Sequence, residues 1–271
     1  MRIFVDMKHR VAVCQYDIEW CNTPLNLARA ENLIAHAGAD TVILPEMFAT
    51  GFVTNPTSVA QPMNGKIAEW MCSVAAKYEC AIVGTAIIED TGRFYNRTLF
   101  VKPTGEIVCS DKRHLFTIGG EAEHLTAGTE RVVVEWGGLR WLLLTCYDLR
   151  FPVWSRCRGD YDVALYPASW PASRRDAWMT LLRARAIENE AYVIGANRTG
   201  SDPTTHYSGD SAIIGFKGET IVAIESEEGV ITAELDPNEL EHFREKFPTL
   251  KDSDEFTIHN SQFTIIPTDD L

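Results

Sequence analysis

Residues 141–152 read Trp-Leu-Leu-Leu-Thr-Cys-Tyr-Asp-Leu-Arg-Phe-Pro. The apolar run from Trp141 stops at Thr145, and Cys146, Tyr147, Asp148 and Arg150 follow at once. An unbroken apolar run is the form of a strand covered on both faces, as in a parallel sheet layered with helices; a strand with one wet face would alternate. Open α/β sheets collect their chemistry where the chain leaves such strands, and Cys146 stands at that exit. Free cysteine is also among the most buried residue types, so a structural thiol and a working thiol both fit this stretch taken alone.

The flanking sequence supplies the rest of an α/β pattern. Residues 132–136 and 139–145 form a hairpin turned at Gly137-Gly138. Beyond them come a strand at 162–166, a long helical pattern at 174–190 and a strand at 192–196. Toward the N-terminus, strands at 11–15, 41–44 and 81–88 alternate with helical patterns at 25–37 and 67–78, and a hairpin over 93–103 and 105–110 turns at Pro103-Thr104-Gly105. Toward the C-terminus, strands at 211–216, 220–225 and 230–235 precede a helix at 237–247, with Asp236 as its N-cap and Pro237 at its first position. Helices interleaved with strands specify an α/β architecture; the hairpins add antiparallel strands, giving mixed sheets with helices outside. Two such sheets packed face to face would make a four-layer α-β-β-α sandwich, a stacking that periodicity leaves open. Without repeat, low-complexity tract or linker, the expectation is one domain over 1–271.

The 271 residues are 45% hydrophobic and 23% charged, ordinary globular values that exclude a collagen-like, disordered or disulfide-scaffold protein. With 25 basic and 38 acidic residues the net charge is -13. That argues against a nucleic-acid or anionic-membrane partner, because phosphate binding needs a basic face; a small anionic substrate responds to the local field instead. Seven cysteines, at 14, 21, 72, 80, 109, 146 and 157, include no Cys-x-x-Cys pair, which points to reduced thiols and the cytoplasm. The opening Met-Arg-Ile-Phe-Val-Asp is too short for a signal-peptide core, and no stretch approaches the roughly 18 apolar residues of a membrane span. The seven histidines show no ligand spacing, so neither a metal nor another cofactor is expected.

Two further runs bring complementary groups. Residues 41–48 read Thr-Val-Ile-Leu-Pro-Glu-Met-Phe and end an apolar strand in a carboxylate, Glu46; residues 110–116 read Ser-Asp-Lys-Arg-His-Leu-Phe and carry Lys112. Each alone reads equally as a solvated loop. Together with Cys146 they make chemical sense. A cysteine nucleophile works as its thiolate, from an ordinary pKa of about 8.5. A Glu can take the thiol proton and pass it to a leaving amine. A Lys ammonium lowers the thiol pKa, stabilises an oxyanion and would hold Glu46 ionised.

The runs Pro45-Glu46-Met47-Phe48, Asp111-Lys112-Arg113-His114-Leu115-Phe116 and Cys146-Tyr147-Asp148-Leu149-Arg150-Phe151-Pro152 resemble, in order and spacing, the three signatures of the nitrilase superfamily of carbon-nitrogen hydrolases. Tyr95-Asn96-Arg97, Pro103-Thr104-Gly105-Glu106, residues 183–189, residues 207–211 and residues 218–220 extend the likeness across nearly the whole chain, and residues 146–156 with Arg244-Glu245-Lys246-Phe247-Pro248 most resemble its ω-amidase branch. The resemblance implies a four-layer α-β-β-α fold and a homodimer. It implies hydrolysis of the terminal amide of small dicarboxylate monoamides, α-ketoglutaramate and α-ketosuccinamate, with no cofactor. It makes Glu46 the general base, Lys112 the oxyanion-side cation, Cys146 the nucleophile, Tyr147 a backbone N–H donor to the oxyanion and Arg150 the holder of the distal carboxylate. A second active-site carboxylate falls at Glu121, with Glu123 as the alternate. An N-carbamoyl-amino-acid amidohydrolase, a nitrilase and a non-catalytic binding protein on the same fold are the rivals.

Other residues read less sharply. Trp170, after a strand in Ala168-Ser169-Trp170-Pro171, reads as a wall of the substrate pocket or as a simple core tryptophan. His114 and His124 are read as loop-ordering groups, and Arg183, Arg185 and Glu188 as a solvated or inter-subunit ion-pair face. The Asn-Arg-Thr triplets at Asn96 and Asn197 are taken as sequence accidents.

Overall fold

Alternate residues of the central strands enter different cores. In a computed structural model, which describes residues 8–254 and the backbone of 256–259 and 262–265, Val11 and Val13 of β1 (His9–Gln15) pack in one cluster and Ala12 and Cys14 in another. Ile43 of β2 (Thr41–Ile43) and Val83 of β3 (Ala81–Asp90) join the first cluster, while Val42 and Ile82 join the second. The second cluster also takes Ala30 and Ile34 from α1 (Thr23–Ala37) and Met71 and Val74 from α2 (Lys66–Tyr78). A period of two with apolar residues at both phases is what a strand covered on both sides requires. The segment 1–7, read as too short for a signal-peptide core, lies outside the described residues.

The first sheet continues through β4 (Arg93–Val101) and β5 (Ile107–Asp111). After the four-residue helix α3 (Glu121–His124) the chain builds the second sheet from β6 (Val133–Trp136), β7 (Leu139–Leu143), β8 (Val163–Ala168) and β9 (Tyr192–Asn197). A short helix α4 (Pro152–Ser155) lies between β7 and β8, and α5 (Arg175–Asn189) between β8 and β9. A hairpin, β10 (Thr199–Ser201) and β11 (His206–Ser208), precedes β12 (Ser211–Ile214) and β13 (Thr220–Ile224). The chain then returns to the first sheet as β14 (Gly229–Leu235), antiparallel to β1, and enters α6 (Pro237–Lys246), capped by Asp236.

The sheets have the orders β14-β1-β2-β3-β4-β5 and β13-β12-β9-β8-β7-β6. Each is parallel at its centre, β1-β2-β3 and β7-β8-β9, and antiparallel toward its edges. Trp141 and Leu143 of β7 meet Val11, Ile43 and Val83 between the sheets, whereas Leu142 and Leu144 face Leu182 and Ala186 of α5. The layers are therefore α-β-β-α, the stacking that periodicity left open. One boundary differs instructively. The strand expected to run to residue 145 ends at Leu143, because the Thr145 N–H turns to the Asp148 carboxylate at 3.0 Å. The hairpin β10–β11, too short and polar for a periodicity signal, was not anticipated.

Candidate active site

Three chain exits converge at one end of the sandwich. The Pro-Glu exit after β2, the turn after β5 and the exit after β7 put Glu46, Lys112 and Cys146 together, with Glu46 and Lys112 at 0% and 1% exposure and Cys146 at 7%. The Lys112 ammonium donates to Glu46 Oε1 at 2.9 Å and to Glu121 Oε2 at 2.6 Å. Glu121, at the start of α3, is fully buried; Glu123 is exposed on the same short helix. So the structure brings Glu121 into the cluster and leaves Glu123 outside it.

Residues to which the motifs assigned no role hold these groups. Asn96, inside β4, donates its amide to Glu46 Oε1 at 2.8 Å and Glu121 Oε1 at 3.0 Å. The Ser169 N–H donates to Glu46 Oε2 at 2.9 Å, and the Phe116 N–H to Glu121 Oε2 at 2.7 Å. Each buried carboxylate thus has several donors, as buried charge demands. Asn197 accepts from the Trp170 N–H at 2.7 Å and donates to the Trp170 and Gly209 carbonyls. Both Asn-Arg-Thr triplets therefore begin with a buried, hydrogen-bonded asparagine, Asn96 within the cluster and Asn197 at Trp170. The backbone at Lys112 is fixed by its N–H to the Asn96 carbonyl and by the Gly128 N–H to its own carbonyl, each at 2.9 Å. Gly128 has no room for a side chain: a Cβ there would lie 2.2 Å from the Asp111 carbonyl oxygen.

Cys146 opens a 3-10 turn, Cys146–Arg150, with φ of 43°, a left-handed conformation costly for a residue with a side chain. Asp148 holds that turn. Its carboxylate accepts the Thr145 N–H and, at 2.9 Å, the His114 N–H, and contacts His114 Nδ1 at 2.8 Å. His114 stacks on Phe151 at 3.8 Å, so it orders the loop, while His124 is exposed. The ion-pair face expected on α5 is corrected in part. Arg185 is 4% exposed and donates to the Leu149 carbonyl at 2.7 Å as well as to Glu188 at 2.8 Å. It braces the cysteine turn, while Arg183 is exposed and bonds the Gly218 carbonyl.

The electrostatics depart from the sequence reading. Burial pushes the Glu46 carboxyl up; Lys112 draws it back and Glu121 adds to the rise, and the net direction is upward. Burial and the Glu46 charge push the Cys146 thiol well above its ordinary value, against the pull of Lys112. Burial works against the Lys112 ammonium, yet Glu121 and Glu46 more than offset that and hold it charged. Burial thus favours the thiol over a thiolate formed in advance by Lys112 and raises the basicity of Glu46. That raised carboxylate is matched to taking the thiol proton.

Cys146 and Lys112 open on a cavity of about 400 Å³. Tyr147, Arg150, Phe116, Trp170 and Arg174 line it, with Asp202 and Thr205 from the loop between β10 and β11. Trp170 is 3% exposed, and Arg150 lies over its ring at 5.0 Å. Tyr147 is half-buried, its ring against Phe116 and Phe151 at 5.1 Å. Its N–H stands in the first turn of the 3-10 segment, where leading N–H groups have no partner within the helix. Among the described residues no group of three or more His, Cys, Asp or Glu could hold a metal ion.

Known proteins resemble this chain over most of its length. A carbon-nitrogen hydrolase family model matches residues 10–245. The chain is 44% identical over 254 residues to the ω-amidase YafV of Escherichia coli K12, covering 92% of this chain and 98% of that one. It is 34% identical to a 2-oxoglutaramate amidase of Bacillus subtilis 168, covering 91% and 98%. Among solved structures, a CN-hydrolase superfamily protein of Xanthomonas campestris with an arsenic adduct in its active site superposes with a TM-score of 0.91 at 38% identity, covering 93% of this chain and 99% of that one.

Proposed function

The chain belongs to the carbon-nitrogen hydrolase family, and within that family we propose that it works as an ω-amidase, cleaving the terminal amide of small dicarboxylate monoamides such as 2-oxoglutaramate (α-ketoglutaramate) and α-ketosuccinamate. The observation that carries this reading is the buried Glu46–Lys112–Glu121 cluster beside Cys146 at the base of a cavity with arginine at its wall. Likeness over nearly the full length to proteins named ω-amidase and 2-oxoglutaramate amidase supports it.

Each step follows from the positions. The Cys146 thiol gives its proton to Glu46 as its sulfur attacks the amide carbon. The carbonyl oxygen takes the electron pair between the Lys112 ammonium and the Tyr147 N–H. When the oxyanion collapses, the C–N bond breaks and Glu46 returns the proton to the nitrogen, releasing ammonia and leaving a thioester. Water then attacks, giving its proton to Glu46; the carbon–sulfur bond breaks, and the thiolate recovers the proton as the acid leaves. Glu121 touches Lys112 and Asn96 rather than Cys146, so it acts by fixing the ammonium and tuning Glu46. Arg150 holds the distal carboxylate, for which a planar, permanently cationic fork is suited. Trp170 forms the wall beneath it.

We place the enzyme in the cytoplasm as a homodimer, with no nucleic-acid or membrane partner. All seven cysteines are unpaired, as a reducing compartment would leave them, and Ile187 on α5 and Ile221 on β13 are exposed apolar side chains available to a second copy. Among the described residues no helix is long and apolar enough to cross a membrane. The activity is tested by ammonia release from 2-oxoglutaramate, glutamine, asparagine and N-carbamoyl-β-alanine side by side, with a nitrile and with CO₂ measured. The reading requires fastest release from 2-oxoglutaramate, without CO₂, and loss of release in Cys146→Ala. Preference for the ureide with CO₂ formation, or for the nitrile, would replace it with one of the family's other chemistries.

A further inference from the structure

Among the described residues, two guanidinium groups face the cavity without a carboxylate partner. Among the described residues Arg97, Arg140, Arg175 and Arg198 each hold an aspartate, but neither Arg150 nor Arg174 makes an ion pair. Aromatic shelves support them instead: Arg150 lies over Trp170 at 5.0 Å and Arg174 over Phe116 at 5.2 Å. The two shelves are tied, since the Trp170 indole N–H donates to the Arg174 carbonyl at 2.8 Å. Both arginines are half-buried and both line the same cavity. A cation resting on a ring in a partly desolvated pocket keeps its hydrogen-bond donors for an anion supplied by the ligand.

The opposite charge in this wall is already engaged. Asp202 is the one carboxylate among the described residues lining the cavity. Its Oδ1 accepts from the Thr204 N–H at 2.8 Å, the Thr204 hydroxyl at 3.0 Å and the Thr205 N–H at 2.7 Å, and its Oδ2 accepts from the Tyr207 hydroxyl at 2.6 Å. A ligand ammonium would have to displace those donors to reach it. The pocket therefore offers two cationic forks to a carboxylate, while its one carboxylate already accepts four hydrogen bonds from its own loop and Tyr207.

We propose that Arg174 is a specificity-determining residue: with Arg150 it clamps the distal oxo-acid end of the substrate, and its charge disfavours the α-ammonium that distinguishes glutamine and asparagine from their oxo-acid counterparts. The inference rests on the ω-amidase reading and extends it from one substrate cation to two. Its test separates the two. In a Cys146→Ala background, binding of 2-oxoglutaramate and of 2-oxoglutarate is measured by calorimetry with and without Arg174→Gln and Arg174→Lys, and steady-state turnover is measured with Cys146 intact. Loss of a charge-assisted contact is expected to weaken binding of both anions about tenfold or more in Arg174→Gln, with part of the affinity restored in Arg174→Lys. In turnover, KM for 2-oxoglutaramate rises more than kcat falls, and the ratio of kcat/KM for 2-oxoglutaramate over glutamine drops at least tenfold. Unchanged binding in Arg174→Gln, or a loss that glutamine shares equally, overturns the role of Arg174 while leaving the ω-amidase reading in place. Arg174-dependent binding of the two anions by a protein that releases no ammonia from 2-oxoglutaramate would sustain the clamp and overturn the activity.

Discussion

Replacing Glu121 by Gln removes one charge from a cluster of two carboxylates and one ammonium while keeping the shape of the side chain. Glu121 raises the basicity of Glu46, so neutralising it must lower the Glu46 pKa. Two carboxylates held on one ammonium lie ~5 Å apart, and at an effective dielectric of about 20 their repulsion is about 3 kcal/mol. That corresponds to roughly two pKa units, and relaxation around the site brings the expected shift to between about one and two. The sign is fixed by the role of Glu46: the base must be ionised, so activity is lost as pH falls through its raised pKa. In Glu121→Gln the acid limb of kcat/KM against pH therefore moves to lower pH. The plateau falls about tenfold or more, because a weaker base drives thiol deprotonation less and Lys112 loses its 2.6 Å ionic partner. The assay is ammonia release from 2-oxoglutaramate across the pH range, alongside thermal melting. The variant keeps one carboxylate for one ammonium, so its melting temperature stays near that of the parent. An acid limb that stays in place or moves to higher pH would refute the reasoning, since Glu121 would then not be setting the charge balance at Glu46.

Removing the cation is the harsher perturbation. Lys112→Met leaves Glu46 and Glu121 buried without their ammonium, so it should lose activity and about 3–5 kcal/mol of stability at neutral pH, read by urea denaturation. Gly128→Ala should destabilise by about 1–3 kcal/mol, because its Cβ would meet the Asp111 carbonyl; the shift passes to Lys112 through the Gly128 N–H, so kcat falls as well. Arg185→Met removes the bond to the Leu149 carbonyl and should cost about 1.5–3 kcal/mol. Turnover should fall more than in Arg183→Met, whose side chain lies on the exposed side of α5.

The strand exits were readable because apolar runs stop abruptly there. Pro45-Glu46 and Thr145-Cys146 stand within two or three residues of the ends of both-faces-buried strands, exits that composition marks closely. Asn96 stood out only as part of the family-like run Tyr95-Asn96-Arg97, with no role attached. It lies within β4, and its reach to Glu46 and Glu121 depends on register, with Asn96 opposite Ile87 of β3 and Arg97 opposite Asp111 of β5. Spacing along the chain does not encode that register. Ser169 acts through a backbone N–H, which any residue would present. Arg185 follows helical spacing that fits an exposed ion pair as well as a buried brace; only the packing of α5 on the cysteine turn distinguishes them. The pull of Lys112 on Glu46 and Cys146 has the sign expected from sequence, but it is outweighed at both residues. The sequence displays the neighbouring charge of Lys112, whereas desolvation, the larger effect at both residues, depends on how completely the two sheets close over them.

That closure also explains how a chain of net charge -13 can keep a cationic pocket. The cluster draws its parts from both halves of the sandwich: Glu46, Asn96 and Lys112 from the first sheet and its exits, Ser169 from the exit of β8, and Cys146 from the exit of β7. Thr98 of β4 and Thr145 after β7 share a hydrogen bond of 2.8 Å directly across the seam, and the Ser169 hydroxyl donates to the Glu46 carbonyl at 3.2 Å. Sliding one sheet on the other would break these bonds and leave two carboxylates and an ammonium unsatisfied in a dry interior, where an unpaired charge costs several kcal/mol. The stacking of the sheets and the chemistry between them are thus one constraint. Lys112 is matched within the cluster by Glu46 and Glu121, so the cations left facing the cavity are Arg150 and Arg174, beside an Asp202 already bound by its own loop. The acidic surplus elsewhere on the chain reaches that mouth only through solvent, which screens it over about 8 Å at physiological ionic strength.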